Sequence, residues 1–258
     1  MSEEEKDRIL YNKIAGEYAR KDVVISSSLA REYGLISAME RVLKELPNLG
    51  HFVEIGCGVG ASASYLAGLY TQYIGIDQSE EMIKKAKIFN KNNPNVEFIA
   101  ANIKSSTLSQ NVADVIYSGS SFHHMTELNE VMRSLRRIAK PGAFLVANEP
   151  QNCNPCISIL RFLRGIVGKS YSRDQIFFSP KHLRNLFVKH GLVDLSVDFK
   201  GFFTTPFAQV ILNPQSLMVL LTKLAIAIDQ RLNNHLPDPW RKLSFNVVIT
   251  GKFLKNAQ

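Results

Sequence analysis

Cysteine is scarce in this chain, with three residues (Cys57, Cys153 and Cys156) among 258. So small and odd a number excludes a disulfide scaffold, and the lone Cys153-x-x-Cys156 pair has no second pair with which to complete a zinc site. Long apolar runs are missing too. The most apolar stretch, Ser216 to Ile228, is thirteen residues, short of the roughly 20 needed to span a bilayer. The opening Met1-Ser2-Glu3-Glu4-Glu5-Lys6 is acidic and has no apolar segment of the secretory kind, so a cytoplasmic location is expected. Internal repeats and low-complexity tracts are absent. A hydrophobic content of 45% is ample for a core.

Charge is present but unevenly placed. Residues 1–150 carry 17 Lys+Arg against 18 Asp+Glu, and residues 151–258 carry 14 against 5, together the net +8 of the chain. A near-neutral first part and a basic remainder suit an anionic substrate, an anionic membrane surface or nucleic acid, or simply solubility.

Local patterning alternates strands with helices. Residues 3–46 read as helical, with Leu10, Ile14 and Tyr18 and then Leu35, Met39 and Leu43 at i, i+4 spacing. His51-Phe52-Val53-Glu54-Ile55 reads as a buried strand that ends in Gly56-Cys57-Gly58-Val59-Gly60, with a helix expected over 61–70. Tyr73 to Asp77, Val96 to Ala100, a run that starts at Asp114, and Ala143 to Pro150 supply further strands, and an amphipathic helix with Leu128, Val131, Met132, Leu135 and Ile138 precedes the last of these. Ser79, followed by Glu80 and Glu81, suits a helix N-cap, as does Ser179 before Pro180. Leu243 to Phe253 reads as a closing strand.

A strand, a glycine bend and a helix start form a nucleotide-binding corner, because glycine admits positive φ and close approach of a ligand. Gly56-x-Gly58-x-x-Ala61 also satisfies the loose dinucleotide pattern. Glu54 and the G-x-G-x-G spacing instead resemble motif I of the class I S-adenosylmethionine (SAM) methyltransferases. Tyr11-Asn12-Lys13-Ile14-Ala15-Gly16-Glu17-Tyr18 resembles an entry segment that in that family folds over the cofactor, with Tyr18 at a position that often touches SAM. Ala113 to Met125 resembles motif IV, and Ala139-Lys140-Pro141-Gly142 the block that follows. The similarity runs from about residue 11 to 150.

The resemblance implies a Rossmann-like α/β fold with a seven-stranded, mostly parallel sheet in order 3-2-1-4-5-7-6 and an antiparallel last strand. It implies one methyltransferase domain over 1–258, with N-terminal helices at 1–46, a SAM-binding core at 47–150 and a helical substrate cap at 151–178 and 202–238. Glu54 would steady the loop and Gly56, Gly58 and Gly60 would admit the methionine end of SAM. Asp77, 21 positions after Gly56, would accept from the ribose hydroxyls, with Gln78 beside it. Asn102 stands where the family usually has Asp and would accept from the adenine amino group, against which Ile103 would pack. Ser118 and Gly119 would line the pocket through their backbones, and His123 or His124 could take a proton from a substrate hydroxyl. Asp114 is expected to be structural, and Glu149 to face either substrate or solvent.

The expected function is methyl transfer from SAM to a small-molecule acceptor, hydrophobic or anionic, without a metal. The Asn/Asp-Pro-Pro-aromatic motif of base N-methylases is missing, so nucleic acid is not the expected partner, while peripheral membrane contact stays open. An RNA methyltransferase, an NAD(P)-binding oxidoreductase and a non-catalytic scaffold remain the alternatives. The apolar 216–228 run fits a buried helix, a dimer face or a lid.

Overall fold

The computed structural model describes residues 3–154 and 178–254. The Cys156 half of the Cys-x-x-Cys pair and nearly all of the first cap segment lie outside them.

Two helices come first, α1 (Glu3–Val23) and α2 (Ile25–Glu45). The core then alternates as β1 (His51–Ile55), α3 (Ala61–Tyr65), β2 (Gln72–Asp77), α4 (Glu80–Phe89), β3 (Val96–Ala100), β4 (Ala113–Gly119), α5 (Leu128–Ile138) and β5 (Ala139–Pro150). After the undescribed segment follow α6 (Pro180–Lys189), β6 (Leu192–Lys200), α7 (Thr204–Gln209), α8 (Gln215–His235), α9 (Asp238–Arg241) and β7 (Asn246–Phe253). Single 3-10 turns at Ile103–Ser105 and Phe122–His124 follow β3 and β4.

The seven strands form one sheet in the order β3-β2-β1-β4-β5-β7-β6, as expected. β1, β2, β3, β4 and β5 pair in parallel, and β7 pairs antiparallel with β5 and β6. Alternate residues of each strand face opposite layers. Val53, Ile74 and Ile116 join Val131, Met132 and Leu135 of α5 on one side. Their neighbours Phe52, Tyr73 and Val115 join Met39 and Val42 of α2 on the other. Both faces are covered, which is why these strands read as continuous apolar runs rather than as alternating ones.

The structure differs from the sequence reading in detail. α3 stops at Tyr65 rather than reaching Tyr70, and Gly68 follows at φ +85°. β5 begins at Ala139, ahead of Pro141, because Ala139 pairs with Ala113 across a register shift. Asp114 is structural: its Oδ2 accepts from the His51 backbone N–H at 2.8 Å and from Lys140 Nζ at 2.6 Å, tying β4 to the start of β1.

α7 and α8 lie along α2. The Ser26 hydroxyl donates to Gln215 Oε1 at 3.1 Å, Arg31 Nε donates to the Ala208 carbonyl at 3.2 Å, and Asn233 Nδ2 to the Tyr33 hydroxyl at 3.3 Å. Asp229 of α8 is fully buried and accepts from the backbone N–H groups of Phe202, Phe203 and Thr204 and from the Thr204 hydroxyl. It therefore anchors the start of α7. Of the three readings offered for the apolar run, full burial is ruled out: Met218, Thr222 and Ala225 face inward, while Leu217, Leu220 and Leu224 are exposed.

Candidate functional site

The sheet order reverses between β1 and β4, and in parallel sheets ligands collect outside the strand C-termini at such a point. Ile55 and Asp77 end β1 and β2 along that rim, and Ser118 is the penultimate residue of β4, the three strands aligned by the Ile55–Ile76 and Ile55–Ser118 pairings. Most of the residues singled out by sequence gather here.

The three motif glycines all have positive φ, +67° at Gly56, +54° at Gly58 and +74° at Gly60, yet they do three different jobs. A Cβ on Gly56 would lie 2.4 Å from Ser121 Cβ, and one on Gly60 would lie 2.7 Å from the Phe98 ring. Gly58 alone has open space where its Cβ would be. Gly56 and Gly60 thus let the bend pack, and Gly58 is the one that presents bare backbone outward.

Glu54 is buried beneath this bend. Ser62 Oγ donates to its Oε1 at 3.0 Å and the Tyr73 hydroxyl donates to its Oε2. Burial pushes its carboxyl up to about 8, although both hydroxyls pull the other way. It ties β1 to the first turn of α3 and to β2, and both its oxygens are engaged within the protein.

Asp77 is turned toward the bend. Its Oδ2 accepts from the Gly58 N–H at 2.9 Å and its Oδ1 from the Ser79 N–H at 2.8 Å. Ser79 is indeed the N-cap, accepting from the Met82 N–H at 3.2 Å, but Asp77 braces the same turn. A carboxylate has about four acceptor directions, so two remain for hydroxyl donors. Burial raises the Asp77 carboxyl, opposed by the Ser79 and Gly58 N–H groups and by nearby His124.

Beside Asp77 lies a cleft of about 350 Å³, lined by Gln78, Glu80, Ala100, Ala101 and Asn102 and, from α1, by Glu4, Glu5 and Arg8. Asn102 caps the short turn after β3: its Oδ1 accepts from the Lys104 N–H at 3.0 Å, and its Nδ2 donates to Glu4 Oε2 at 3.0 Å. Glu4 also accepts from Lys104 Nζ and the Thr126 hydroxyl. Although burial raises the Glu4 carboxyl, these donors hold it below its ordinary value. Ile103 is buried in the core.

α1 closes over the rim with a second set of contacts. His124 Nδ1 lies 3.1 Å from Asp7 Oδ2, and its Nε2 lies 2.8 Å from the Tyr11 hydroxyl. With Asp7 accepting from Nδ1, Nε2 is left to accept from Tyr11. Burial, followed by Tyr18, Asp7 and Asp77, pushes the Tyr11 hydroxyl far up, so it stays protonated and donating. Asn12 Oδ1 accepts from Ser79 Oγ at 2.6 Å. Tyr18, the aromatic picked from sequence, sets its ring edge-on to Tyr11 at 5.8 Å.

His123 and His124 share one 3-10 turn, with ring centroids 4.1 Å apart, but point to different partners. His123 Nδ1 faces Glu149 Oε2 at 2.8 Å. Glu149 is wholly buried, so it does not face solvent as one of the two sequence expectations had it. Its Oε1 accepts from the Ser121 and Phe122 N–H groups at 3.0 and 2.9 Å. Ser118 Oγ lies 2.6 Å from Ser121 Oγ, so this side chain belongs to the same network. Glu149 was missed as the organiser of this loop; its place at the C-terminal end of a parallel strand was the available signal. Among the described residues, no three His, Cys, Asp or Glu stand close enough to hold a metal ion, and no helix is long and apolar enough to cross a membrane.

Comparison with known proteins follows from this geometry. Residues 53–147 match the model of the family Methyltransf_11, described as a methyltransferase domain. An uncharacterized 37.1 kDa protein in transposon TN4556 of Streptomyces fradiae is 27% identical over 55% of this chain and 41% of its own length, so the chain spans less than half of that relative. Demethylmenaquinone methyltransferase of Lactococcus lactis is 24% identical over 77% of this chain and 86% of that protein. The crystal structure of a SAM-dependent methyltransferase from Thermotoga maritima superposes with a TM-score of 0.64 at 18% identity, covering 96% of this chain and 99% of that one, which speaks for the fold.

Proposed function

We propose that the protein, a SAM-dependent methyltransferase of the class I fold, methylates a small-molecule acceptor, with Gly58 and Asp77 as the centre of its cofactor grip. One observation carries this reading: Gly58 offers bare backbone to open space while its own N–H is fixed by the Asp77 carboxylate. The residues present fit the cofactor. Asp77 keeps acceptor capacity for two ribose hydroxyls, and the neighbouring cleft at Gln78, Ala101 and Asn102 is of a size to take a flat base. Asn102 would accept from the adenine amino group only by sharing the oxygen that already holds Lys104. Glu54 supports the bend from below and would not touch the ligand.

Bound SAM supplies an electrophilic methyl group on a sulfonium. The protein's task is then alignment and exclusion of water rather than covalent help. α1, latched by Glu4, Asp7 and Tyr11, would shield the rim from solvent. Both ring nitrogens of His124 serve α1. Glu149 fixes Nδ1 of His123 as the protonated nitrogen, the tautomer that a base acting through Nε2 requires, and His123 is the base candidate proposed here. α7 and α8 would form part of the wall on the acceptor side, as in the single-domain arrangement with a cap over 202–238.

The match to a demethylmenaquinone methyltransferase over most of that protein's length supports a small-molecule acceptor. The basic second part of the chain suits one that is hydrophobic or anionic. Incubating the protein with isotope-labelled SAM and a metabolite extract, followed by mass spectrometry, tests the reading. A labelled low-molecular-weight product is expected; label appearing only in RNA would move the assignment to the nucleic-acid alternative.

A further inference from the structure

We propose that the outward face of α8 docks on a bilayer rich in anionic lipid. α8 is amphipathic in an inverted sense. Its inward positions Met218, Thr222, Ala225 and Asp229 pack or hydrogen-bond, and its outward positions carry the larger apolar side chains. Leu217, Leu220, Leu221, Leu224 and Ile228 are 47, 63, 36, 55 and 37% exposed. Their i, i+3, i+4, i+7 and i+11 spacing puts them on one stripe. The loop that leads into the helix continues it, with Val210, Ile211 and Leu212 also exposed. Scattered exposed leucines need no explanation, but a contiguous stripe of this kind marks an interaction surface.

Charge selects the occupant. Between Phe203 and Pro237 the sole acid is Asp229, and it is buried under four donors. The exposed side of α8 therefore carries cations without acids: Lys223 is exposed about a third of a turn to one side of the leucine stripe, and Arg231 one turn beyond Ile228. Neither forms an ion pair among the described residues. A second copy of this chain would set these cations against their own equivalents across the interface. Anionic headgroups complement them, while the leucines enter the headgroup–acyl boundary. Apolar stripe, flanking cations and missing acids together are what an in-plane interfacial helix requires.

The full chain mixed with phosphatidylcholine vesicles, with and without phosphatidylglycerol, tests this by flotation. Binding is expected to the mixed vesicles, weakening with salt. Leu220→Glu with Leu224→Glu should reduce partitioning more than about tenfold. Lys223→Glu with Arg231→Glu should remove the preference for phosphatidylglycerol. All four side chains are exposed, so circular dichroism and SAM affinity should be unchanged in both variants. Three results would overturn the proposal: no flotation of the wild-type chain, flotation indifferent to the leucine changes, or a dimer in sedimentation equilibrium that the leucine changes dissolve while vesicle binding is absent.

Discussion

His123 Nδ1 and Glu149 Oε2 lie 2.8 Å apart at the C-terminal rim of the sheet, the carboxylate wholly buried and the imidazole nearly so. Because Glu149 also accepts from two backbone N–H groups, the pair fixes both the loop after β4 and the imidazole tautomer. Nitrogen NMR of the wild-type protein should show His123 protonated at Nδ1. Glu149→Ala leaves three donors without an acceptor and should cost roughly 3–5 kcal/mol of stability in denaturant titration. Glu149→Gln should fold better than Glu149→Ala but lose turnover by about two orders of magnitude or more, through the wrong imidazole tautomer. A fully active Glu149→Gln enzyme would remove His123 from the base role.

The glycine bend separates packing from ligand access. Gly56→Ala and Gly58→Ala both force a side chain to positive φ, at roughly 1–2 kcal/mol each. Only the first also drives a Cβ into Ser121, so it should be the less stable by about another 1–3 kcal/mol in thermal melts. Gly58→Ala should keep most of its stability yet bind SAM markedly more weakly. The reverse ranking would mean that Gly58 does not face the cofactor.

Glu54 makes stability depend on pH. Its carboxyl sits at about 8 in the folded protein, against about 4.3 unfolded. Between those values the folded state holds the extra proton, so stability contributed by this group falls as pH rises. It is fully present near pH 4 and lost above pH 8, a change on the order of 5 kcal/mol. Glu54→Gln should flatten that part of the profile, measured by denaturant unfolding from pH 5 to 8.5. An equally steep decline in the variant would place the titrating group elsewhere.

α1 is held to the rim by discrete polar contacts, and each can be removed singly. Tyr11→Phe deletes the hydrogen bond to His124 Nε2. At about 1 kcal/mol it should speed amide exchange in α1 roughly fivefold while leaving the sheet strands unchanged. Exchange that rises equally in β1 and β4 would show that α1 does not open independently.

The strand order came from the resemblance to the class I SAM methyltransferases, whereas the individual strands and the glycine corner were legible in sequence from local periodicity and from φ requirements that only glycine meets cheaply. Ser79 and Ser179 were legible as caps for the same reason, each accepting a nearby N–H. What escaped was set by distant partners. Glu149 read as a loop acid because its donors lie in residues 121–123, nearly thirty positions earlier. The bond from the Gly58 N–H to Asp77 escaped because it joins two different strand ends, nineteen positions apart. The 216–228 run promised burial by composition, yet only one stripe of it meets α2 and α7. Periodicity locates a helix face but not which face the neighbours cover.

Calorimetric titration of SAM into the wild-type chain and into Asp77→Ala tests the central claim most directly. The account expects the wild type to bind SAM in preference to NADPH. It expects Asp77→Ala to bind SAM roughly ten- to a hundredfold more weakly, about 1.5–3 kcal/mol for lost charge-assisted hydrogen bonds. An affinity for SAM that Asp77→Ala leaves untouched would contradict it.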